Sequence, residues 1–266
     1  MNGVTQHLRR MTTGLALLMI LTAALYFGGL VLAGILLVVA LLGIHEFFSL
    51  FGEAGAGRTE RILGLVLTAG MIILAWARPE AGVLPGAAAF VILALFFLAR
   101  WAADESYAFS SVALVAAGLA YVPLLLIPAL SFSLHEQILI VCVPIFTDSA
   151  AYFCGVRFGR HKIWPKVSPK KSVEGSLGGL AASVAVCVTL GLWLGQAGAA
   201  AFVGLGLALG IMAQLGDFFE SALKRAHHVK DSGNILPGHG GVLDRIDSLL
   251  FVIPAYLLCR AFCNFF

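Results

Sequence analysis

The nineteen residues Lys230–Ser248 read KDSGNILPGHGGVLDRIDS and carry three aspartates, two basic residues, a histidine and four glycines. An almost uninterrupted apolar run follows them. Upstream, Asp217 and Glu220 stand three residues apart at the end of another apolar run. Asp244 and Asp247 repeat that spacing at the start of the last one. Residues three apart share a helix face, so two helix ends each offer paired carboxylates. Asp148 lies inside a further apolar run, PIFTDSAAYF. A charge near mid-membrane costs at least about 2.5–3.5 kcal/mol, and such residues usually mark function. Hard oxygen donors at helix ends suit Mg²⁺, which takes one or two carboxylates and completes its shell with water and substrate phosphates. Asp217 and Asp244 are the first candidates for that ion. Asp247 is a supporting candidate in the first turn of its helix, where the dipole also favours an acid, and Asp148 is a further one. No His/Cys cluster competes, which argues against zinc.

The same region carries groups suited to phosphate. SPKKSVEGSLGG, from Ser168 to Gly179, places Lys170, Lys171 and hydroxyls before a run of glycines that opens a helix. LPGHGG, from Leu236 to Gly241, contributes three glycines. Glycine lets backbone N–H groups approach an anion closely. Neither stretch is a Walker A loop or a G-x-G-x-x-G turn. Lys224, Arg225 and Lys230 add positive charge, and His239 reads as a phosphate or substrate contact. His227 and His228 read as exposed. Carboxylates for a metal, lysines for phosphate and glycines for close approach fit phosphoryl or nucleotidyl transfer, where catalysis is mostly positioning and charge neutralisation.

The elements that position these groups are set by composition. The chain is 60% hydrophobic and 12% charged, against about 25% charged for a soluble domain. Its mean hydropathy is +0.97. It therefore reads as an integral membrane protein, with a formal net charge of only +3. The five cysteines form no C-x-x-C pair and sit in or beside apolar runs, as small packing residues do. A membrane helix needs about 20 mostly apolar residues. Nine runs qualify, at about 12–27, 29–49, 61–77, 84–99, 107–130, 137–156, 175–194, 198–219 and 248–264. The first two are separated by Gly28-Gly29, which predicts a tight helical hairpin. Arg9-Arg10 before an apolar run resembles a signal peptide, but the later segments favour an uncleaved first helix. Nine spans put 15 of the 17 basic residues on the N-terminal side and leave Arg78 and Arg260 on the other. Positive charge stays in the cytoplasm, so the N-terminus, the Arg157–Gly175 loop and the Lys230–Ser248 stretch are expected there.

The segment SALKRAHHVKDSGNILPGHGGVLDRIDS resembles the defining motif of phosphatidate cytidylyltransferases, the CDP-diacylglycerol synthases. The matching positions are Ser221, Lys224, Arg225, Lys230, Asp231, Gly233, Pro237, His239, Gly240, Gly241, Asp244, Arg245 and Asp247. Upstream, TDSAAYFCGVRFGRHKIWPKVSPKKSVEGSLGG resembles the family's preceding cytoplasmic segment. It departs only at Ser172, where threonine is more usual and the hydroxyl is kept. Specific resemblance covers Asp148 onward.

The resemblance implies cytidylyl transfer from CTP to phosphatidic acid, giving CDP-diacylglycerol and pyrophosphate, at the bacterial cytoplasmic (inner) membrane. It implies Lys171, Ser221, Lys224, Arg225, Lys230, Asp231, His239 and Arg245 in catalysis. Ser168, Lys170, Gly240 and Gly241 would bind substrate phosphate, and Asp217, Asp244 and Asp247, with Asp148, would bind Mg²⁺. A second, monovalent cation such as K⁺ and a homodimer are further implications. CTP, phosphatidic acid and membrane lipids are the expected partners, and no nucleic acid is expected. The expected fold is an all-α integral membrane bundle of about nine transmembrane helices with a polar active site on the cytoplasmic face. Residues 1–130 supply about five spans, and 131–266 form the catalytic region. Two rivals stand beside this reading. One is a CTP- or ATP-dependent polyprenol or phytol kinase. The other is an ion-coupled transporter using Asp148, which the one-sided clustering of polar residues disfavours.

Overall fold

The computed structural model describes residues 3–266, with side chains at 11–52 and 55–266. Arg9 and Arg10, counted in the charge bias, lie outside the described side chains. Helices dominate, and among the described residues no strand forms. Two isolated bridges, Lys162 with Ser172 and Leu236 with Gly240, are the only extended pairings there. The chain folds as two compact units. One holds Met1–Ser131 with Asp231–Arg245, and the other holds Phe132–Lys230 with Ile246–Phe266. The motif segment Asp231–Arg245, assigned from sequence to the C-terminal region, packs with the N-terminal helices.

In the first unit, α1 (Gly3–Phe27) and α2 (Gly29–Leu50) form the expected hairpin. Gly28 and Gly29 have φ of 55° and 45°, a left-handed conformation that a β-carbon disfavours. The short α3 (Gly52–Gly55) leads to α4 (Arg58–Ala77), α5 (Leu84–Ala103) and α6 (Phe109–Tyr121). Pro123, which has no N–H to continue the ladder, ends α6. The chain goes on as α7 (Pro123–Leu126) and a 3₁₀ turn, Ile127–Ser131. The core gathers Ile44, Phe47, Phe48, Ile72 and Leu119, all buried. Gly64 and Gly118 leave room for the Phe48 and Phe47 rings.

The second unit is built on α8 (Leu134–Phe158), α9 (Val173–Leu194) and α10 (Ala199–Ala226). A reciprocal cap starts α8: Ser133 Oγ accepts from Glu136 N–H, and the Glu136 carboxylate accepts from Ser133 N–H at 2.6 Å. The helices cross almost backbone to backbone. A β-carbon at Gly178 or Gly179 would press on Cys154 or on the Thr147 carbonyl of α8. One at Gly206 would press on Val184 of α9. Ser183 Oγ donates to the Gly206 carbonyl at 2.7 Å. The last helix, α11, runs Leu243–Arg260, its first turn in the first unit and the remainder in the second.

Each of the nine predicted spans falls largely on helix, and among the described residues seven helical segments are long and apolar enough to cross a membrane. The first and last predicted spans fall on α1 and α11. On α1 the described apolar stretch is Met11–Phe27, and on α11 Asp244, Arg245 and Asp247 precede the apolar stretch while Arg260 ends the helix. The bundle is a membrane protein by its surface too. On α5, Phe90, Val91, Ile92, Leu95 and Leu98 are all exposed, a contiguous apolar face that water-soluble monomers rarely show.

Candidate active site

In the second unit a cavity of about 650 Å³ opens at the C-terminal half of α8. Its lining brings Asp148 and Asp217 together with Lys162, Ser168, Lys170, Lys171 and Ser172. The loop between α8 and α9 is shaped by its own bonds. Val173 N–H donates to the His161 carbonyl at 2.8 Å, and Lys162 Nζ to the Lys170 carbonyl at 3.2 Å. The Glu174 carboxylate holds the other limb, accepting from Arg160 N–H at 3.0 Å and meeting His161 Nδ1 at 2.6 Å. Buried Ser172 caps α9, its hydroxyl accepting from Gly175 N–H at 3.2 Å. This local order turns Lys170 and Lys171 towards the cavity.

Lys171 is held on two sides. Its ammonium pairs with Asp217 Oδ2 and lies 4.4 Å from the centre of the Phe218 ring, a cation–π arrangement. Trp164 packs edge-on against Phe218 at 4.8 Å. Asp217 Oδ1 accepts from Ser221 Oγ at 3.2 Å. One turn on, fully buried Glu220 pairs with Lys224 at 3.0 Å. Asp247 faces Asp217 and Glu220. The approach is made at Gly216, where a β-carbon would collide with the Asp247 carbonyl. Three carboxylates and the Lys224 ammonium therefore occupy the polar ends of α10 and α11, and Lys171 reaches them from the loop before α9.

The glycines of SPKKSVEGSLGG have a different role from the one expected. Gly175, Gly178 and Gly179 lie within α9 and admit from α8 the Ala151 carbonyl, the Cys154 side chain and the Thr147 carbonyl. Their missing β-carbons serve helix packing, the Gly175 N–H is taken by Ser172 Oγ, and the lysines carry the anion-binding character of the stretch.

The first unit holds the glycine loop. Gly238 and Gly240 have φ of 78° and 84°, and Leu236 N–H donates to the Gly240 carbonyl at 2.9 Å. Asp244 Oδ2 accepts from Ser232 N–H at 3.0 Å and from Gly241 N–H at 2.8 Å. Asp244 thus closes the loop on itself. The Gly241 N–H, expected from sequence to face phosphate, is taken up by that carboxylate in this structure. His239 packs beside Gly14 of α1, with Nδ1 buried and without a hydrogen-bond partner. Thr13 Oγ1 donates to the Pro237 carbonyl at 3.1 Å, tying the loop to α1. Lys230, Asp231 and Arg245 are exposed. Exposed Arg225 donates to the Val229 carbonyl at 3.1 Å and so fastens the turn after α10.

Two side chains that the motif did not single out belong to this description. Glu46 is buried and accepts from Ser232 Oγ at 3.2 Å, Val242 N–H at 3.0 Å and Leu243 N–H at 2.8 Å. Its signal in the sequence is its solitude, as the one carboxylate in 22 residues of α2. Phe218, the platform for Lys171, had no signal beyond adjacency to Asp217.

Among the described residues, no group of three or more His, Cys, Asp or Glu side chains is arranged to hold a metal. Asp217 and Asp148 on one cavity, with Asp247 facing Asp217, are a donor set of hard oxygens. That set fits an ion completed by water and phosphate, and it does not fit a closed protein cage.

Residues 8–263 match the cytidylyltransferase family, a range that includes every candidate site residue described above. The chain belongs to that family. The phosphatidate cytidylyltransferase of Staphylococcus aureus (strain COL) is 32% identical over 263 residues, covering 92% of this chain and 95% of its own length. The phosphatidate cytidylyltransferase of Bacillus subtilis (strain 168) is 49% identical over 124 residues, 46% of each chain. That of Staphylococcus saprophyticus is 40% identical over 159 residues, 57% of each chain. Membership in the cytidylyltransferase family makes the lysine-rich cavity beside paired carboxylates intelligible, since a nucleoside triphosphate presents both phosphate charge and metal-binding oxygens.

Proposed function

We infer that the protein transfers the cytidylyl group of CTP to phosphatidic acid, releasing pyrophosphate and leaving CDP-diacylglycerol in the membrane. The observation that carries this reading is the cavity at α8 and α9, which Lys162, Lys170 and Lys171 line together with Asp148 and Asp217. Full-length similarity to a protein named phosphatidate cytidylyltransferase supports the choice of substrates. In the reaction an oxygen of the lipid phosphate attacks the α-phosphorus of CTP. The new P–O bond forms as the bond from the α-phosphorus to the bridging oxygen of pyrophosphate breaks.

The chain's own groups position and neutralise. Lys171, aimed by Asp217 and Phe218, is placed to meet a phosphate oxygen, with Lys170 and Ser168 on the same cavity wall. Charge-assisted contacts of this kind are roughly twice as strong as neutral ones. Lys224 pairs with Glu220 one turn beyond Asp217. Asp217, with Asp247 or Asp148, would hold Mg²⁺, which when bound supplies charge stabilisation to the phosphate oxygens. The 15-to-2 division of basic residues supports a cytoplasmic location for this cavity at the inner membrane, where CTP is available.

The reading is tested with purified protein, CTP, phosphatidic acid and Mg²⁺. CDP-diacylglycerol is the expected product. A phosphorylated alcohol formed from a polyprenol, with no CDP-diacylglycerol, would move the protein to the lipid kinases.

A further inference from the structure

We propose that Glu46, on α2, is a positioning residue for the reaction, setting the conformation of the Asp231–Gly241 loop and of the α11 N-terminus. The proposal rests on the reading of the protein as a cytidylyltransferase, in which that loop takes part. The geometry is specific. Glu46 Oε1 accepts from Val242 N–H, and Oε2 accepts from Leu243 N–H and Ser232 Oγ. Two of these donors are backbone groups at the start of α11, which have no partner within the helix. The third comes from the far limb of the loop. One buried carboxylate therefore ties the two ends of the loop together and caps the helix that follows.

The glycines record the same contact. A β-carbon at Gly233 or at Gly241 would run into the Glu46 carboxylate. Both glycines belong to the family-like motif, and the structure gives their smallness a cause: the approach of this side chain from another helix. Asp244 makes the second tie, from the loop side, through Ser232 N–H and Gly241 N–H. The loop that carries His239, Gly240 and Asp244 is thus held between two carboxylates, one local and one on α2.

Glutamine at position 46 keeps one acceptor and introduces an NH₂ group. With its oxygen in the Oε2 position it serves Leu243 and Ser232, and it sets a donor against Val242 N–H. The expected result for Glu46→Gln is a loss in kcat of about tenfold to a hundredfold, the scale of one charge-assisted hydrogen bond. KM for CTP and for phosphatidic acid should stay close to wild type, because the cavity lysines are untouched. The loop itself supplies an activity-independent readout. Trypsin sites at Lys230 and Arg245 flank the tied segment, and Glu46→Gln should speed their cleavage in folded protein. Ser232→Ala, which removes one donor and strands no backbone group, serves as the second variant. It should give a smaller loss of kcat and the same direction of proteolytic change.

Wild-type kcat with wild-type proteolysis in both variants overturns the proposal. So does a loss of activity that only follows the loss of folded protein, with kcat per folded molecule unchanged. If Glu46→Gln does not fold, Ser232→Ala decides by the same two criteria. An inactive wild type refutes the cytidylyltransferase reading alone, and unchanged cleavage of Glu46→Gln and Ser232→Ala then still rejects the loop tie.

Discussion

Replacing Lys171 by Met and Asp217 by Asn, singly and together, separates two roles open to this ion pair. The side chains are 28% and 26% exposed. The pair thus lies between a surface pair, worth about 0–1 kcal/mol, and a charge-assisted bond in a drier setting, about 1.5–3 kcal/mol. Each single substitution should lower stability by about 1–2 kcal/mol, because it leaves one charge unpaired. The double substitution should cost no more than the larger single, since neither charge remains. Methionine also keeps an apolar stem over Phe218. Activity should behave differently. Lys171→Met removes a phosphate contact and should lower kcat/KM by about tenfold to a hundredfold. Asp217→Asn removes a metal-binding charge and should cost more. The double variant should be no more active than Asp217→Asn. Thermal unfolding in detergent gives the stability arm, and CDP-diacylglycerol formation gives the activity arm. If the double variant recovers to within about threefold of wild type, the pair is structural and neither residue acts on phosphate or metal.

Gly179→Val should destabilise the protein by about 1–3 kcal/mol through overpacking of α9 against α8, whereas Gly204→Ala, with open space around it, should be neutral or slightly stabilising; thermal unfolding compares them. Cysteines introduced at His161 and Val229 should resist a membrane-impermeant maleimide in intact cells and react in inverted vesicles; labelling of intact cells would reverse the orientation. Chelation should abolish CDP-diacylglycerol formation and added Mg²⁺ restore it. Asp148→Asn should raise the Mg²⁺ concentration for half-maximal rate less than Asp217→Asn does, and equal wild-type values in both would remove these acids from the metal.

The apolar runs were legible because membrane burial leaves a long, simple signal. Gly28-Gly29 marked the hairpin for the same reason, since two positive-φ residues are what such a turn needs. The chemistry-bearing stretch was legible from its polar residues against an apolar background. The division of labour inside it was not. Gly175, Gly178 and Gly179 resemble an anion-binding run, yet they serve the α8–α9 crossing, because small residues at helix spacing satisfy both demands. Asp244 looks like a ligand by spacing, and the structure shows it closing its own loop through Ser232 and Gly241. Glu46 could not be paired from sequence with a loop some 186 residues away. Such long-range polar contacts leave no local pattern.

The central claim is that the lysine and carboxylate cavity of the second unit serves cytidylyl transfer to a membrane phosphate. The most direct measurement uses purified protein in detergent or vesicles containing phosphatidic acid, with CTP labelled at the α-phosphate and Mg²⁺ present. Label should enter the lipid as CDP-diacylglycerol with one pyrophosphate released per label transferred, and Lys171→Met should reduce both together. Pyrophosphate release without labelled lipid, or no turnover by correctly folded wild-type protein, would contradict it.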